Sequence, residues 1–103
     1  MLTIKEAEKV KKLLEGQEVD MAPVFSALSD QTRCTIFRAL LSRKRLCVTD
    51  IVNILGISMP SASQHLKILE GRGLIERERQ GREIYYSPNS TDAIVKAIEK
   101  VVA

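Results

Sequence analysis

"SMPSASQHLKILEGRGLIERERQGREIYY", residues 58–86, carries two periodicities in succession. Ala62, Leu66 and Leu69 recur at the three- and four-residue spacing of one helix face. Pro60, Gln64, Lys67 and Gly71 fall on the opposite side, with Ser61 and Ser63 at its edges. Ser58 is placed to cap this helix, and Pro60 is tolerated because first-turn amides have no partner within the helix. The helix is predicted to run to about Arg72 and to stop at Gly73. After Gly73, "LIERER" and "REIYYS" flank Gln80-Gly81, and Ile84 and Tyr86 alternate with Glu83 and Tyr85 in the two-residue period of a strand. A hairpin follows, with a loop of two residues or more, since glutamine suits a positive-φ turn position poorly. The outward helix face has little bulk and many hydrogen-bonding groups, as a helix lying in a major groove requires.

Upstream, Thr49 is placed to cap a short helix, Asp50 to Leu55, and Gly56 sits where a left-handed stop belongs. Only "GIS" separates it from the helix that begins after Ser58. Two helices across a short glycine-containing turn form a helix-turn-helix, here over about 49–72. Asp30 is a predicted cap for a helix whose buried face is Ile36, Phe37, Leu40 and Leu41, and "SRKR" (Ser42 to Arg45) sets cations at its negative end. A helix is predicted from Pro23 to Leu28, preceded by a polar joint over 17–21. Leu2, Ile4, Ala7, Val10, Leu13 and Leu14 mark a first amphipathic helix ending near Gly16. Ala93, Ile94, Ala97, Ile98, Val101 and Val102 mark the last. The fold class is therefore mainly α with a small β-hairpin.

A chain of 103 residues suits one domain, 1–103. Without tryptophan its core must be aliphatic, and a modest core makes oligomerisation a natural source of further buried area. Between residues 31 and 82, ten Lys and Arg face four Asp and Glu, whereas both flanks are slightly acidic. That concentration favours a polyanion partner over a membrane. No run of about 18 apolar residues is present to span a bilayer, and Met1 to Lys12 lacks the apolar run of a signal peptide. A cytoplasmic location is expected, with both cysteines as free thiols. No Gly-rich phosphate loop, no paired carboxylates beside the single histidine and no nucleophile with a base point to an enzyme.

The predicted DNA contacts are Ser61, Ser63, Gln64 and Lys67 on the helix, with Arg79 and Arg82 at the hairpin tip. Met59, His65 and Arg77 are further candidates. The competing readings are a solvated polar helix face, Arg–Glu pairing across the hairpin strands, and a histidine that simply packs between neighbours.

"FSALSDQTRCTIFRALL" and "LCVTDIVNILGISMPSASQHLKILEGRGLIERERQGREIYYS" together resemble the ArsR/SmtB family of winged helix-turn-helix repressors, over Phe25 to about Ser87. The resemblance implies a wing over about 74–87. It also implies a homodimer joined by terminal helices over about 2–16 and 91–102, with Val10, Leu13, Ile94, Ile98, Val101 and Val102 at the interface. Members repress at inverted-repeat operators in double-stranded DNA and release it when an inducer binds. Many metal-sensing members carry Glu-Leu-Cys-Val-Cys-Asp-Leu before the recognition helix, whereas this chain reads "RLCVTDI", with Cys47 retained and Thr49 at the second cysteine position. Others use Asp and His on the last helix, where this chain offers Asp92 and Glu99 and no histidine. Neither a metal site nor a cofactor is therefore expected, since thiolate sites need three or four convergent ligands. Cys34 is expected to be buried with Phe37 and Leu41. A thiol-based redox or soft-metal switch at Cys47 is the alternative trigger, and a winged helix used for protein contact is the more distant one.

Overall fold

Helix α3 (Gln31–Arg43) is the element on which the others are assembled. Its residues Ile36, Phe37, Leu40 and Leu41 are buried, and it packs against α2 (Ala22–Ser29), α4 (Val48–Leu55), α5 (Met59–Gly71) and strand β3 (Glu83–Pro88). The computed structural model describes residues 1–16 and 21–102. The joint expected over 17–21 thus lies, apart from Met21, outside the described residues. Helix α1 (Ile4–Glu15) precedes it and α6 (Ala93–Val102) closes the chain. Asp30 caps α3 as expected, its carboxylate accepting from the Arg33 N–H at 3.0 Å. At the far end Lys44 takes the left-handed conformation with φ 71 and donates its N–H to the Leu40 carbonyl. A lysine there bears the steric cost that glycine avoids.

The sheet has three strands rather than two. β1 (Leu46–Cys47), β2 (Ile75–Gln80) and β3 are antiparallel in the order β1-β3-β2, with Leu46 opposite Tyr86 and Cys47 opposite Tyr85. The two-residue β1 is too short to show a period and was not legible in the sequence. The Arg45 guanidinium lies 3.8 Å above the centre of the Tyr85 ring, fastening β1 to β3 from outside by a cation–π contact. Between β2 and β3 the connection is a two-residue turn, because Gln80 pairs with Glu83. Gly81, with φ 63, supplies its positive-φ position and Gln80 remains in the strand, so the objection to glutamine does not apply.

Three further sequence expectations change. α4 begins at Val48 and its cap is Cys47, not Thr49: the Asp50 carboxylate accepts the Cys47 N–H at 3.0 Å and its thiol at 3.2 Å. Asp50 at the third helical position reaches back to the free amide, which is the half of a capping box that a sequence reading misses when the cap is not a hydroxyl residue. Cys34 is half-buried rather than part of the core. In α6, Val95 is fully buried, and Ile94 and Ile98 rest half-buried on the protomer's own core, while Ala93, Ala97 and Val101 form the exposed edge.

The end of α5 decides where the hairpin points. Gly73 has φ 75, its N–H reaches the Glu70 carbonyl at 3.0 Å, and the Leu74 N–H reaches the Leu69 carbonyl at 3.1 Å. This is the Schellman pattern, and Leu69 and Leu74, which the motif brings into contact, are both buried. The Asn89 side-chain amide adds a 3.0 Å bond to the Gly73 carbonyl. A Cβ at Gly73 would meet nothing within 4 Å, so the position demands glycine for its torsion alone. Gly73→Ala should accordingly lower the unfolding free energy by about 1 kcal/mol, and Gly73→Asn by less. Urea unfolding of the three proteins with equal m-values would check this, and an unchanged midpoint for Gly73→Ala would refute it.

Candidate nucleic-acid interface

Ala62, Leu66 and Leu69 are fully buried against the core, and this sets the rotation of α5 about its axis. Ser58 caps the helix by accepting the Ser61 N–H at 3.2 Å. The exposed stripe that remains comprises Met59, Pro60, Ser63, Gln64, Lys67 and Gly71. Among the described residues, the side chains of Ser63, Gln64 and Lys67 have no protein partner, so their donors and acceptors face outward. Ser61 is half-buried at the edge of the stripe, farther from its centre than Ser63.

His65 turns the other way. Its Nδ1 is 3.4 Å from Nη1 of Arg33 and 3.9 Å from the Asp30 carboxylate. The Arg33 Nε donates in turn to the Ala27 carbonyl at 2.8 Å. This cluster ties the middle of α5 to the junction of α2 and α3. The Asp30 carboxyl is held below its usual range, chiefly by the Arg33 N–H, with the charge of Arg33 and the neighbouring His65 adding to the effect and partial desolvation opposing it. Asp30 and Arg33 stand at the three-position spacing of a helix cap and could have been paired from the sequence. His65, more than thirty positions away, could not.

On the hairpin, Arg77 is opposite Tyr86 and Arg79 opposite Ile84, so both arginines share the sheet face that carries buried Tyr86. Arg–Glu pairing across the strands does not occur in this register. Arg77 instead meets Glu70 of α5, with Nε 3.3 Å from a carboxylate oxygen. Arg79 donates from Nε to the Gly81 carbonyl at 3.2 Å, which bends it over the turn. Arg82 is the second residue of the turn and is exposed. The pair at Arg77 neutralises Glu70, the carboxylate that α5 itself carries. What remains is a hydrogen-bonding, cationic helix face beside a hairpin tipped with two arginines.

The structure brings no three His, Cys, Asp or Glu side chains together for a metal among the described residues. Cys47 and Asp50 supply two adjacent donors, already hydrogen-bonded to each other.

Residues 30–77 match the family model described as bacterial regulatory protein, arsR family. The transcriptional repressor SdpR of Bacillus subtilis is 44% identical over 71 residues, a match that takes in 69% of this chain and 78% of that protein. This chain belongs to the arsR family. The crystal structure of the repressor PagR of Bacillus anthracis superposes on it with a TM-score of 0.68 at 35% identity, over 80% of this chain and 91% of that one. The winged helix-turn-helix is thus the shared fold, with α4 and α5 as its helical pair and β2–β3 as its wing. A cadmium-resistance regulatory protein homologue of Staphylococcus aureus is 40% identical over 77 residues, but the match spans 75% of this chain and only 64% of that relative's length.

In this arsR-family chain the start of α4 rests on Asp50, whose carboxyl is held below its ordinary value of 3.8 by the Cys47 N–H and then by the Cys47 thiol. A carboxyl lowered on folding stabilises above its unfolded-state pKa, and that contribution is lost as pH falls through the folded-state value. Asp50→Ala should therefore be less stable than wild type by about 0.5–1 kcal/mol at neutral pH. The gap should be level from pH 7 to 5 and should close only in stronger acid. Denaturant melts across that range would check it; a gap that shrinks already between pH 7 and 5 would contradict the assignment.

Proposed function

We propose that this chain is a sequence-specific, DNA-binding transcriptional regulator that acts as a homodimer, repressing from an inverted-repeat operator. The observation that carries the proposal is the exposed face of α5. It presents Ser63, Gln64 and Lys67 outward, with no unpaired carboxylate beside them, from a helix rotated by its buried leucines. Gln64 can pair with a base edge in the major groove, while Ser63 and Lys67 can reach bases or phosphates. Ser61 serves at the margin. Arg79 and Arg82 at the wing tip are suited to phosphates or to an adjacent minor groove. His65 and Arg77 act within the protein in this reading, holding α5 and the wing in place, and contact DNA little. The relatives named as transcriptional repressors support the sign of regulation.

A second copy of the chain is the proposed cover for the terminal apolar surface. Val10, Leu13 and Leu14 of α1 are exposed, as are Val101 and Val102 of α6, and α1 has no buried residue at all. Ala93 and Ala97 are small enough to let a partner helix approach closely, and Ile94 and Ile98 border that edge. An isologous interface would place two α5 helices in symmetric half-sites, which is what an inverted repeat requires.

In a binding-site selection, Gln64→Ala should lose preference at one position per half-site, a discrimination of about 1–3 kcal/mol. Arg82→Ala should weaken binding to every duplex and lower the salt slope by about one for each phosphate that the arginine neutralises. An unaltered selected motif for Gln64→Ala would remove the groove assignment. Separately, Ala97→Glu with Val101→Glu, which leaves the protomer core intact, should give monomers in sedimentation and abolish operator binding at micromolar protein. A persisting dimer would place the interface elsewhere.

A further inference from the structure

We infer that Met59 reads the 5-methyl group of a thymine in the major groove; this rests on the groove-facing reading of α5 given above. Met59 is the first residue of α5 and is 47% exposed. It precedes Ser63 and Lys67 by four and eight positions, so the three lie along one row of the exposed stripe. Large exposed apolar side chains are otherwise concentrated in the terminal segments and α2. Among the described residues, the helix-turn-helix exposes two, Ile54 and Met59, and Ile54 belongs to α4. On the groove-facing stripe, Met59 is thus a large apolar side chain among serine, glutamine and lysine.

The chemistry of the groove supplies its counterpart. Serine, glutamine and lysine can address the donors and acceptors on base edges. Thymine alone adds a methyl group there, which only apolar contact can recognise. Residues at the beginning of a recognition helix are those that reach base edges. An unbranched thioether side chain is flexible enough to close on a methyl from a position flanked by Pro60. Nothing in the fold requires Met59, since it lies outside the buried core cluster. Its truncation therefore tests recognition and not folding.

The probe is the duplex recovered by in vitro selection with the full chain, in which each thymine in turn is replaced by deoxyuridine, removing the methyl and keeping the base pair. Binding to wild type, Met59→Ala, Met59→Leu and Ser63→Ala is followed by fluorescence anisotropy. One thymine per half-site should be sensitive, its replacement weakening wild type about fourfold for each methyl. Met59→Ala should bind the parent duplex more weakly by a similar factor and be indifferent to uracil at that position. Met59→Leu and Ser63→Ala should keep the sensitivity. Indifference of wild type to every replacement would overturn the inference, as would a full uracil penalty retained by Met59→Ala. If the chain selects no preferred sequence, the groove reading of α5 itself falls and Met59 with it. A preferred sequence without methyl sensitivity removes only the assignment of Met59.

Discussion

The rotation of α5 is set by Ala62, Leu66 and Leu69, and the outward chemistry of the molecule depends on that setting. Turning the helix by one residue would carry the two leucines toward water, at about 2 kcal/mol each. Together they would leave the turned helix populated about a thousandfold less than the native one. Ser63, Gln64 and Lys67 are therefore outward-facing because their neighbours must be inward-facing, not through any preference of their own. Gly73 carries the same constraint into the wing. Its left-handed torsion ends α5 within one residue and sends Leu74 and Ile75 back into the core, where they are buried at 1% and 2% exposure. The base of the wing is consequently fixed by the same core that sets the helix face.

The arginines divide according to what holds them. Arg33 is bound to the Ala27 carbonyl and to His65, Arg77 to Glu70, and Arg45 to the Tyr85 ring. Each of these joins two elements of the fold. Arg82 and Lys67 have no such attachment among the described residues. A positive charge already paired within the protein offers a polyanion little, because releasing it costs what the new contact returns. Unattached cations release counterions from DNA at full value. The middle of the chain is basic as a whole, but only part of that charge is available at the proposed interface.

Much of this was legible in the sequence. The stripe Ala62–Leu66–Leu69, the caps at Asp30 and Ser58, and the stops at Gly56 and Gly73 are local signals, each read within a few residues. The alternation through Ile84 and Tyr86 likewise announced the wing. What escaped the reading depends on partners far along the chain. Strand β1 exists only because Leu46 and Cys47 can pair with Tyr86 and Tyr85. Val95 is buried because α6 lies with that side against the core, although the repeating apolar residues of the helix pointed to its neighbours. Around the helix Val95 lies at one edge of the apolar arc and Ala93 at the other, and an arc so wide does not say which of its edges is inside. The orientation of His65 toward Arg33 is of the same kind, as is the choice of Glu70 as partner for Arg77.

Cys47 has a structural part at the start of α4. The thiol donates to Asp50 at 3.2 Å while its own backbone N–H is held by the same carboxylate, so the pair closes the first turn of α4. A ligand drawn to the thiol would first have to break its hydrogen bond to Asp50. Drawing the thiol into a new contact therefore works against the cap that Cys47 and Asp50 form. The same geometry determines where such a disturbance would travel. α4 is one short helix, capped at its end by Gly56, and α5 begins three residues after that glycine. Loosening the start of α4 would release strand β1 from the adjoining side and shift the helix against which α5 is packed. A disturbance at Cys47 would thus reach α5 through the fold of α4.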